Sequence, residues 1–195
     1  LLINGSFATG WLEQADEVLI IKGAGRQHPK ELIMSCCMDK KNKDVVNAMK
    51  LRARMYYHIF CELRDEFGEE QAMALMKRGI VKGGHDIAVH FKQFAPGDLK
   101  GLKEAFLNSI PDKGAPFSPE VIKCDDDDLI IQFHTCPLKE AYEEMGLSDE
   151  EKAKILAIAA AIDGGLFGGA GFEFSSTTWK PGQTGCCRLH IKPGK

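Results

Sequence analysis

The sequence predicts an α+β domain: an N-terminal helical layer packed on a small antiparallel sheet of about four strands, with helices inserted between its two hairpins. Three observations predict it. Residues 29–116 carry apolar residues at helical spacing. Residues 117–195 hold two pairs of short runs with strand alternation. Between those pairs lies an almost wholly apolar segment opened by a capping box. At 195 residues the chain suits one domain with a sizeable core, 29–195, preceded by a poorly defined segment, 1–28.

Composition narrows the class. A formal net charge of −3 provides no basic field for nucleic acid. No uninterrupted apolar run approaches the roughly 20 residues of a membrane span, and no membrane partner is expected. The opening Leu1-Leu2-Ile3-Asn4 does not read as a secretory leader. Seven cysteines, with Cys36-Cys37 and Cys186-Cys187 adjacent, make a poor disulfide framework, so a reducing cytoplasm is expected. The oligomeric state stays open, a homo-oligomer included.

Gly23-Ala24-Gly25-Arg26 lacks the third glycine of a dinucleotide fingerprint and the Lys-Ser/Thr of a phosphate loop, and reads as a link. Pro29 opens a short helix reaching Cys37. From Asp44 a long helix carries Val45, Met49, Met55, Ile59, Phe60 and Leu63 and stops at Gly68. Glu69-Glu70 begins the next, which ends at Gly83-Gly84; a further apolar run spans His85 to Phe94. Leu99 to Ile110 is a short amphipathic helix closed by Pro111. His85 and His90 stand five apart, off the spacing of a helical metal pair.

Val121–Cys124 and Leu129–Thr135 read as a hairpin whose tip, Asp125 to Asp128, belongs in water because four adjacent carboxylates repel. The second strand runs into His134-Thr135-Cys136-Pro137. Pro137 then opens a helix that Gly146 stops. Cys136 therefore sits at an incipient helix N-terminus, where dipole and free N–H groups favour a thiolate. In a continued strand His134 and Gln132 share its face, opposite Leu129, Ile131 and Phe133, which pairs a nucleophile with a possible base.

Ser148 and Glu151 form the capping box of a helix running to Ile162, buried on all sides, with Ala157, Ala160 and Ala161 inaccessible. Asp163 follows at its C-terminal end, where the dipole is unfavourable, so a partner or a general-base role is expected. Gly164-Gly165 and Gly168-Gly169 then read as non-helical. Phe172–Trp179 and Gly185–Ile191 close the sheet. In the last strand Cys187, Leu189 and Ile191 share one face, and Cys186, Arg188 and His190 the other. His134, Cys136, Cys186 or Cys187, and His190 are zinc-ligand types, so a zinc-dependent hydrolase stays open although no motif calls for a cofactor.

Over roughly Leu51 to Ile191 the chain resembles the L-2-amino-thiazoline-4-carboxylic acid hydrolase family. The resemblance is carried by Tyr56 through Phe67-Gly68-Glu69 with Ala72, by Cys136-Pro137 and Gly146-Leu147, by Asp163 after a helix, and by the last strand with Gly182 and Cys187. It departs at Ala160, where a cysteine is expected three residues before the aspartate, and at Arg188 and His190 beside Leu189. The resemblance implies an intracellular hydrolase that opens a small cyclic amidine or thioimidate bearing a carboxylate, with Cys136, Asp163 and Cys187 as family positions. The expected chemistry is attack by Cys136, proton transfer by His134 or Asp163, and substrate binding by Arg188, Cys187 and His190, Arg188 holding the carboxylate. The competing class is a non-enzymatic small-molecule-binding or sensor domain on the same sheet.

Overall fold

A computed structural model describes the backbone of residues 29–195 and the side chains of residues 42–195; residues 1–28, with the Gly23–Arg26 link, lie outside the described residues. Cys37–Lys195 forms one compact unit. The architecture is α+β, as expected.

The helical layer begins with α1 (Pro29–Phe67), a single helix where two are expected. Gly68, at φ 81°, supplies the left-handed turn that a side chain resists, and α2 (Glu69–Ala88) starts there with two acids in its first turn. α2 passes through Gly83-Gly84 without stopping. After a short 3₁₀ turn, α3 (Leu99–Ser109) is capped by Asp98, whose carboxylate accepts from the Gly101 N–H at 2.8 Å.

The sheet is β1 (Pro119–Cys124), β2 (Leu129–Phe133), β3 (Glu173–Thr177) and β4 (Arg188–Lys192), antiparallel throughout in the order β1-β2-β4-β3. Register aligns Leu129 with Ile191 and Ile131 with Leu189, and all four are fully buried. Each such side chain contributes about 1.5–3 kcal/mol by leaving water, so a slip by one residue would be heavily penalised. Between the hairpins lie α4 (Pro137–Glu144), α5 (Asp149–Ala159) and α6 (Ala161–Ala170). Ser148 caps α5 as predicted, accepting from the Glu151 N–H at 3.2 Å. The Glu151 carboxylate instead pairs with Arg64 of α1 at 3.1 Å and with Lys154.

The glycine-rich stretch is helical, against expectation. Interior glycine costs a helix about 0.5–1 kcal/mol, and packing offsets this. A Cβ on Gly165 would overlap the Val81 carbonyl oxygen, and one on Gly84 the Ile162 carbonyl oxygen. α2 and α6 thus cross almost backbone to backbone. End to end, Asp149–Ala170 is long and apolar enough by length and composition to cross a membrane, although Lys154 and Asp163 interrupt its apolar run. Here it bends at Ala160 and packs on α2 and β3. Ala157, Ala160 and Ala161 are half-buried; Ile155, Leu156, Ile158 and Ala159 are the side chains that α5 buries.

Two apolar clusters result. One joins α1, α2, α4 and α5 around Phe60, Tyr142 and Ile158; the other joins the inner sheet face to α3 and α6 around Ile131, Phe106 and Phe167.

Candidate active site

A cavity of about 360 Å³ opens where the two clusters meet. Phe106, Phe133 and Leu166 come from the sheet side; Leu138, Leu156 and Ala159 come from the helical side. Its polar equipment is Cys136, Cys186, Cys187, Asp163, Arg52 and Tyr56, with Ser109 at the end of α3. The volume lies at the lower end of ordinary ligand pockets, and an apolar wall with few convergent polar groups is their usual make-up.

Cys136 reaches the cavity because β2 ends early. The strand stops at Phe133, and His134 and Thr135 turn back, their N–H groups donating to the Phe117 carbonyl at 3.1 and 3.2 Å. Face alternation therefore lapses before residue 136. Cys136 becomes the extended N-cap of α4, with Pro137 in the first turn, and is buried on the same side as Phe133. Its thiol is held below the ordinary value, chiefly by a hydrogen bond from the Cys186 thiol. The N–H groups of Lys139 and Leu138 at the head of α4 add to this, and burial opposes it. Cys186 is correspondingly pushed up by Cys136, by Cys187 and by burial, and stays a thiol. Its Sγ lies 3.3 Å from that of Cys187.

Both adjacent cysteines precede β4, so strand parity does not divide them. The Cys186 N–H donates to the Phe133 carbonyl at 2.9 Å, and the Cys187 carbonyl accepts from the Phe133 N–H at 2.8 Å. That pairing sets the two beside the β2–α4 junction, and both line the cavity.

Asp163 sits in the first turn of α6, not at the end of a longer helix. The local dipole therefore favours its anion, contrary to expectation. Burial outweighs this and raises the carboxyl from 3.8 to about 7, with Arg52 acting the other way. The residue keeps some accessible area because the cavity itself opens to water. Arg52 makes no ion pair among the described residues; its guanidinium stands 6.0 Å from the Tyr56 ring centroid.

Three expected site residues lie elsewhere. His134 is half exposed and its Nε2 lies 2.8 Å from Glu120 Oε2, outside the cavity lining. Arg188 points outward from β4, its Nε donating to Gln132 Oε1 at 3.0 Å, and lines a second, polar cavity with Thr177, Gly182 and Thr184. His190, also outward, lies 2.6 Å from Asp128 at the acidic turn. The zinc set is thereby dispersed: among the described residues no group of three or more His, Cys, Asp or Glu side chains could hold a metal ion.

Sequence reasoning missed Arg52 and Tyr56. Met49, Arg52 and Tyr56 recur at one helical stripe, but a stripe containing methionine and tyrosine reads as plain core. It also missed Tyr142, which is fully buried with a hydroxyl that finds no hydrogen-bond partner among the described residues.

The chain matches the family model of L-2-amino-thiazoline-4-carboxylic acid hydrolase over residues 48–191. It belongs to that family. Every described residue lining the cavity, from Met49 to Cys187, falls inside the matched span. No protein of curated function and no solved structure matches the chain. Within the thiazoline-carboxylate hydrolase family, then, the three positions expected from the resemblance share one cavity: Cys136, Asp163 and Cys187. Ala160, where a cysteine is expected, lines it too.

Proposed function

We propose that this protein is a hydrolase that opens a small five-membered cyclic amidine or thioimidate of the 2-amino-thiazoline-4-carboxylate type, with Cys136 as nucleophile and Asp163 as acid–base. One observation carries the reading. A cavity sized for a small heterocycle is lined by a thiol biased towards thiolate and by a carboxyl raised to about 7. A group poised near the working pH can both give and take a proton.

An amidinium presents two parallel N–H groups, the same fork by which a guanidinium grips a carboxylate. Asp163 is the carboxylate in this cavity that fits that fork. With the ring so held, the Cys136 thiolate adds to the carbon flanked by heteroatoms. The tetrahedral adduct collapses by breaking the bond to ring sulfur or ring nitrogen, Asp163 taking a proton from the nitrogen that forms the new C=N bond and passing it to the departing atom. Water then adds to the remaining Cys136-bound carbon as Asp163 accepts its proton. Expulsion of the Cys136 thiolate leaves an open-chain carbamoyl product, and one water is consumed. The Cys186 thiol, donating to Cys136, stabilises the thiolate at the start and at the end. Such a thiol pair has to stay reduced, which agrees with a cytoplasmic setting.

The test is turnover of L-2-amino-2-thiazoline-4-carboxylate, followed chromatographically as loss of the ring. The wild-type protein opens the ring and Cys136→Ser does not, while a rapidly quenched reaction shows substrate mass on the Cys136 peptide. Full activity in Cys136→Ser overturns covalent catalysis and leaves water activated by Asp163.

A further inference from the structure

We infer that Arg52 of α1, with Tyr56 one turn on, forms the subsite for the substrate carboxylate and decides the choice between carboxylated and uncarboxylated rings. This deepens the proposed function and rests on it. The role expected of Arg188 is vacant, because that side chain is engaged with Gln132 on the outward side of β4.

Three observations converge on Arg52. It lines the cavity that contains Cys136 and Asp163. No carboxylate pairs with it among the described residues, whereas its helix neighbours are engaged: Lys50 binds Glu140 and Glu144, and Arg54 binds Glu144. Asp163, the one carboxylate among the described residues lining the cavity, is raised to about 7 despite Arg52. Had the two formed a close pair, that carboxyl would be driven down instead. The guanidinium and the carboxyl thus stand apart, each free to engage its opposite on a ligand. A ring bearing an amidinium at one end and a carboxylate at the other matches this polarity: amidinium to Asp163, carboxylate to Arg52.

Tyr142 lies outside the cavity lining. Its hydroxyl is buried and unpartnered among the described residues, and its titratable neighbours are Cys136, Tyr56 and Arg52. The Arg52 guanidinium stands 6.0 Å from the Tyr56 ring centroid, and both side chains line the cavity. Apart from these two, the three cysteines, Asp163 and Ser109, the described wall is apolar and offers no second cation, so an unpaired carboxylate elsewhere in the cavity would be poorly solvated.

The experiment compares Arg52→Gln, Arg52→Lys and Arg188→Gln with wild type on L-2-amino-2-thiazoline-4-carboxylate and on uncarboxylated 2-amino-2-thiazoline. Calorimetric binding of the inert ring L-2-oxothiazolidine-4-carboxylate is measured alongside, and circular dichroism confirms folding. Losing a charge-assisted pair should raise KM for the carboxylated ring about 10- to 100-fold with far less change in kcat. The uncarboxylated ring should keep its KM, and any kcat change from losing the pull of Arg52 on Asp163 is common to both rings, so the preference between the two in kcat/KM collapses. Arg52→Lys should recover part of the loss, and Arg188→Gln should behave as wild type. Retained preference in Arg52→Gln, or its transfer to Arg188→Gln, overturns the assignment. If wild type opens neither ring, the proposed function fails, and the calorimetry still decides the subsite: unchanged binding of the inert carboxylate by Arg52→Gln refutes it.

Discussion

Asp163→Asn should make the protein more stable above neutral pH while it stops turnover. In the folded chain burial raises the Asp163 carboxyl from 3.8 to about 7. Below pH 3.8 it is protonated both folded and unfolded, and contributes no pH dependence. Between 3.8 and about 7 the unfolded chain has released the proton and the folded chain retains it, so stability falls as pH rises. At about 1.4 kcal/mol per pH unit the loss reaches about 4 kcal/mol near neutrality, a large part of the roughly 5–15 kcal/mol typical of a domain. Above pH 7 both states are ionised and the penalty stays constant. Asparagine has nearly the same shape and no charge to bury, so the variant escapes this loss. Urea unfolding of both proteins from pH 4 to pH 8.5 gives the difference directly. It should start near the small cost of the substitution itself, climb through pH 4–7, and level off in favour of Asp163→Asn. A difference that does not vary with pH would mean that the carboxyl titrates normally in the cavity, and would remove the acid–base argument with it.

The crossing of α2 and α6 gives a second test. Gly165→Ala places a methyl on the Val81 carbonyl and should cost on the order of 1–3 kcal/mol in urea unfolding, while Gly168→Ala, with open space around it, should be neutral or stabilising. Equal effects would mean that the helices are not in backbone contact. Cys186→Ala removes the main donor to the Cys136 thiolate, so alkylation of Cys136 by iodoacetamide should slow at neutral pH and its midpoint move to higher pH. An unmoved midpoint would leave the head of α4 as the controlling influence. His134→Gln should leave the pH–rate profile unchanged, since the ring is held by Glu120 outside the cavity; loss of a titrating limb would return His134 to the mechanism.

The sequence by itself determined the kinds of element and much of their order. Apolar spacing called for helices before residue 116, alternation called for two hairpins after it, and Ser148 marked a cap that the structure contains. These are legible because periodicity and caps act between near neighbours. Cys136 at a strand-to-helix junction and Asp163 after an apolar helix could be singled out for the same reason. Sequence also marked Gly164 to Gly169 as non-helical, and there local preference was overridden. The backbone approach of α2 requires glycine at Gly165, and the matching requirement is met far away along the chain, at Gly84.

Tertiary structure alone decided which chemistry-bearing residues meet. Parity assigned His134 and Cys136 to one face, but parity holds only while a strand continues, and β2 ends at Phe133. The same limit placed Cys186 and Cys187 together before β4, whereas within β4 parity held and Arg188 and His190 lie opposite Leu189 and Ile191, as expected. Arg52 carries no local mark, because an arginine on a helix is ordinary until the helix borders a cavity. The raised carboxyl of Asp163 follows from the bodies packed round it, since its helix position alone favours the anion. Spacing along a chain encodes short-range order, whereas charge, burial and reach inside a cavity belong to groups far apart in sequence, and only the packed fold brings them within range of one another.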